Sequence, residues 1–259
     1  MKMRRILFAS CGIAIACALW SCRNNSGATG PVLQNSSSSY YPLTVGDFWE
    51  YNVYSDSDGV IVLGSKRTDI IVITDTAEVN GTLAYAMHDL GDGLGLRNLF
   101  TATSTPISYL ATDLKGNLMV LADTSFGTQL AGIWNIVEML SNHIKGMPDS
   151  YALYSNSNFQ PPPFSPLVNN YIGDSSVSVP AGKFNAITYK DSSGIADTNA
   201  STDPPTIEFT SDVRQSYYAP GVGLVKFIDL EIDSSNASGQ AGAASTIGVY
   251  AELVCYSVK

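Results

Sequence analysis

The residue types that could do chemistry are sparse in this chain, and none stands at a working spacing. His88 and His143 are the only two histidines among 259 residues. Neither has a second histidine or a cysteine at ligand spacing, so a zinc site is not expected. A Ser/His/Asp triad would have to recruit one of these two, and the chain has no Gly-x-Ser-x-Gly elbow. Gly91-Asp92-Gly93-Leu94-Gly95 has the look of a phosphate loop but opens no helix, which makes it a turn. Carboxylates are plentiful yet scattered, and nothing in their order pairs two of them for glycoside hydrolysis. Asp56-Ser57-Asp58-Gly59 alternates acids before a glycine as a calcium loop does, but the terminal acidic ligand is missing and a hairpin turn accounts for it. The expectation is a protein without catalytic residues, metal or cofactor.

One chemical signal does stand out, and it concerns covalent modification. Lys2, Arg4 and Arg5 precede an apolar run from Ile6 to Trp20 that ends in Leu19-Trp20-Ser21-Cys22. This is the layout of a secretory signal, and the run is short for a membrane span, which takes ~20 apolar residues. Leu19, three residues before Cys22, and small Ser21 resemble the lipobox of bacterial lipoproteins. That resemblance implies cleavage before Cys22 and acylation of its sulfur. Trp20 is bulky for its place, so Cys17, after Ala14-Ile15-Ala16, is the second candidate; Cys11 comes too early. Arg23-Asn24-Asn25 carries no aspartate of the kind that implies inner-membrane retention, and outer-membrane anchoring is expected, with the facing leaflet open.

Three of the four cysteines thus lie in or at the end of the signal, leaving Cys255 in an alternating, strand-like stretch where a small buried residue is expected. With Cys22 acylated, no internal disulfide is expected. Loss of the signal leaves 11 Lys and Arg against 23 Asp and Glu, a formal charge of −12. Such an acidic exported domain is a poor partner for nucleic acid. Residues 23–39 are rich in Ser, Asn and Gly and end in four serines; they read as a flexible tether spanning about 23 Å. A single β-rich domain is expected over 40–259.

From Tyr40 the chain reads as strand after strand. Asp47–Tyr54, Arg67–Thr74, Leu83–Asp89, Ile107–Thr112, Leu118–Ala122, Phe184–Tyr189, Ile207–Tyr218, Leu224–Ile232 and Thr246–Val258 are rich in β-branched and aromatic residues. Asn80-Gly81, Gly116-Asn117 and Pro220-Gly221 supply the turns between them. One stretch departs from this pattern. Leu130, Ile133, Trp134, Val137, Leu140 and Ile144 recur at helical spacing, which predicts a helix over 128–144. If it covered a curved sheet, Leu130, Ile133, Trp134 and Val137 would line an apolar ligand site. Residues 191–205 and 234–245, with the Pro161-Pro162-Pro163 and Pro166 segment, read as surface loops.

An opening block and a pair of closing blocks carry a family resemblance. Tyr40-Tyr41-Pro42-Leu43-Thr44-Val45-Gly46-Asp47-Phe48-Trp49-Glu50-Tyr51 looks like the opening of the folded domain in many bacterial outer-membrane lipoproteins of unassigned activity. Val179-Pro180-Ala181-Gly182-Lys183-Phe184 and Tyr217-Tyr218-Ala219-Pro220-Gly221-Val222-Gly223-Leu224-Val225-Lys226 resemble their closing blocks. More distantly, such domains resemble the half-barrels of periplasmic lipoprotein carriers. The resemblance implies an all-β fold and no particular chemistry. The reading is therefore a curved antiparallel sheet or half-barrel with one helix packed on it, a β-sandwich being the alternative. Three functions follow: a non-catalytic envelope module binding an apolar or lipid-like molecule, a structural lipoprotein contacting an envelope protein, and, third, a hydrolase.

Overall fold

The computed structural model describes residues 40–79, 81–90, 107–113, 116–121, 134–138, 149–150, 168–199, 206–237 and 240–259. Cys22, Cys17 and the expected tether lie outside them, as do Leu130, Ile133, His143 and Gly91 to Gly95. Twelve strands form one antiparallel sheet: β1 Phe48–Ser57, β2 Val60–Val79, β3 Thr82–Asp89, β4 Ile107–Thr112, β5 Leu118–Leu121, β6 Trp134–Glu138, β7 Asp149–Ser150, β8 Val168–Val179, β9 Gly182–Asn199, β10 Thr206–Ala219, β11 Gly223–Ala237 and β12 Gln240–Ser257. In space the order is β6-β5-β4-β3-β2-β1-β12-β11-β10-β9-β8-β7. Two meanders are thus joined at the centre by the pairing of the first strand with the last.

The sheet is strongly curved and open. β8 lies four positions from β12 in the sheet order, yet the two approach each other. Ala181 N–H, in the β8–β9 turn, donates to the Leu253 carbonyl of β12 at 2.9 Å, and the Phe184 and Tyr256 rings stand 6.0 Å apart. Twist in each strand accumulates across a wide sheet, and register shifts at Glu50/Tyr51, Val53/Ser55, Tyr171/Gly173 and Tyr217/Tyr218 add to the bend. The core sits where the curl brings faces together. Trp49, Tyr51 and Val53 alternate along β1, with Leu253 and Ala251 opposite the latter two and Phe227 opposite Ala251. Each such side chain stabilises the fold by about 1.5–3 kcal/mol through removal of apolar surface from water.

Three expectations are corrected. Within the stretch expected to be a helix, residues 134–138 form β6, with Trp134 paired to Leu121 and Ile136 to Met119. Trp134, Ile136 and Val137 are also strand-forming residues, and a short apolar segment next to an open strand gains ladder hydrogen bonds that its own periodicity does not reveal. No helix occurs among the described residues. The expected loops at 191–199 and 234–245 largely continue strands β9, β11 and β12, since main-chain pairing propagates from an established register without needing apolar side chains. Finally, Cys255 is disulfide-bonded and half-buried, not a lone core thiol. The chain's other cysteines are Cys11, Cys17 and Cys22, outside the described residues.

Candidate functional site

The opening and closing blocks, far apart in sequence, interlock. Trp49 Nε1 donates to the Val222 carbonyl at 2.6 Å, and the Tyr51 hydroxyl to the Leu224 carbonyl at 2.8 Å. Tyr41 is fully buried between them, its ring 5.3 Å from Trp49 and 6.2 Å from Tyr218. The turn at Ala219-Pro220-Gly221-Val222 makes this possible: Gly221 has φ +68° and Val222 N–H donates to the Ala219 carbonyl, as a type II turn requires. Gly223, at φ +103°, then lets the chain pass beneath the aromatic pair. A Cβ there would lie 3.3 Å from Trp49 Nε1 and 3.6 Å from the Tyr41 ring.

A second set of contacts ties the two chain regions at the sheet centre. Asp47 is buried; its Oδ2 accepts from Thr44 N–H at 2.9 Å and its Oδ1 from Lys259 N–H at 3.0 Å. Lys259 Nζ donates to the Val45 carbonyl at 3.0 Å. Burial pushes the Asp47 carboxyl above its ordinary value, against the opposing pull of the two backbone donors and the nearby lysine charge.

Beside this junction lies a cavity of about 420 Å³ between Tyr40, Pro220 and the β8–β9 pair, lined further by Asp174, Ser175, Asn185 and Ile187. The Tyr171 hydroxyl donates to Asp174 Oδ1 at 2.6 Å, and that bond, with burial, pushes the Tyr171 phenol up to about 12. Ser175 Oγ and Thr188 Oγ1 are hydrogen-bonded at 2.7 Å. The cavity is an open hollow of mixed lining, with Ala186 and Ile187 buried in its floor and Asp174, Ser176 and Asn185 exposed.

On the other face of β1 a half-exposed ladder crosses four strands. Tyr54 pairs with Tyr250, both hydroxyls reach Glu252, and Lys226 Nζ sits over the Tyr217 and Tyr250 rings at 5.4 and 5.1 Å. Burial, then the Glu252 charge, push the Tyr250 phenol up to about 12.

Of the residues expected to serve a site, Trp134 and Val137 stand on β6, while Leu130, Ile133 and the lipidation candidate Cys22 lie outside the described residues. Asp56 accepts from Gly59 N–H at 2.8 Å and Asp58 has φ +55°, so this acidic string is the β1–β2 hairpin turn. His88, on β3, is shifted below its ordinary pKa by burial. Among the described residues no three His, Cys, Asp or Glu side chains gather at a metal-binding distance. Sequence reasoning missed Asp47 and Lys259, which meet across 212 residues, and Asp174, whose Tyr171 partner lies on the same unrecognised strand; the only hint was Asp47 inside the opening block.

No protein-family model matches this chain, and no curated protein matches it either. Two solved structures are similar over most of its length. One is a candidate lipoprotein from Parabacteroides distasonis, 12% identical, with a TM-score of 0.40, covering 86% of this chain and 100% of that one. The other is a candidate exported protein with a YmcC-like fold from Bacteroides fragilis, 14% identical, with a TM-score of 0.39, covering 85% of this chain and 100% of that one. Likeness at this level carries no argument about activity, so function rests on the chain's own residues.

Proposed function

We propose that this chain is a non-catalytic cell-envelope lipoprotein, held at the outer membrane by an acylated Cys22, whose curved sheet serves as an interaction module for an envelope partner. The observation that carries this reading is the N-terminal order of three cations, an apolar run and Leu19-Trp20-Ser21-Cys22. Stable anchoring takes two lipid signals, which a diacylated cysteine supplies on one residue. A display role for the domain is favoured by the filling of its core, where Trp49, Tyr41, Tyr51, Tyr189, Tyr218 and Phe227 are all fully buried. Binding of an apolar ligand through Leu130, Ile133, Trp134 and Val137 is the second reading. It is weakened because Trp134 and Val137 stand on an edge strand, not on a covering helix.

Acylation and the Cys255 disulfide draw on the same few sulfurs. Once residues 1–21 are removed, Cys22 is the sole other cysteine of the chain, so a thioether at Cys22 and a bond between it and Cys255 are alternatives. Triton phase separation tests the anchor. The wild-type protein is expected in the detergent phase and Cys22→Ala in the aqueous phase. If Cys17→Ala moves the protein and Cys22→Ala does not, the anchor is misassigned; if neither variant differs from a detergent-phase wild type, neither cysteine is the anchor.

A further inference from the structure

We draw no further inference here: the strongest candidate, the half-exposed face of the central strands β1, β12, β11 and β10 that carries Tyr54, Tyr250, Glu252, Lys226 and Tyr217, is an unpartnered sheet surface, and nothing in the structure shows what covers it.

Discussion

Gly223 carries the closest packing between the two blocks. Its φ of +103° already disfavours any side chain, and the space above it is taken by Trp49 and Tyr41. Gly59 offers a control, since its φ is +77° but nothing lies within 4 Å of a Cβ placed there. Gly59→Ala should therefore cost only backbone strain, about 1 kcal/mol, whereas Gly223→Ala should cost that and a displaced indole, about 2–3 kcal/mol in all. Urea denaturation of the two variants measures the difference, and equal losses would mean that the indole yields without cost. The residue-level part of this was legible in sequence only as composition. Pro220-Gly221 announced its turn, because proline and glycine fix backbone angles locally. Trp49 was visible as a core aromatic, but its bond to Val222, across 173 residues, was not.

At the scale of elements, β1 and β12 meet through more than their ladder. Asp47 just before β1 receives a backbone hydrogen bond from Lys259 just beyond β12, and burial holds its carboxyl above the ordinary value of 3.8. A carboxyl raised on folding makes its favourable contribution in the protonated form, below the unfolded value, and loses it as pH rises through the raised one. Asp47→Asn should be less stable than wild type at neutral pH by about 1–3 kcal/mol, because an acceptor for one backbone N–H becomes a donor. As pH falls from neutral toward about 4, only the wild type gains from protonating this group, so the gap should widen. Denaturant melts at the two pH values check this; a gap that narrows on acidification would contradict the assignment. Strand identities such as β4 and β5 were legible because two short runs rich in apolar residues flank the turn residues Gly116-Asn117. β6 was not, because its apolar spacing fits a helix equally well and its partner, Leu118–Leu121, is fixed only by the sheet. The missed β8 is rich in Ser and Asn and is held by its pairing with β9.

The whole molecule is an open curved sheet whose first and last strands lie together at its centre. Phe48 at the start of β1 and Ser257 at the end of β12 are paired, so the domain's entry point lies in its most heavily packed part. We propose that the anchor is a lipid on Cys22, and intact-mass and peptide mass spectrometry of the envelope-extracted protein check this. The expected result is a mature chain beginning at Cys22 and carrying a diacylglyceryl thioether, with no peptide from residues 1–21. A mature chain beginning at Cys22 or elsewhere without acyl mass, or one that retains residues 1–21, would contradict it.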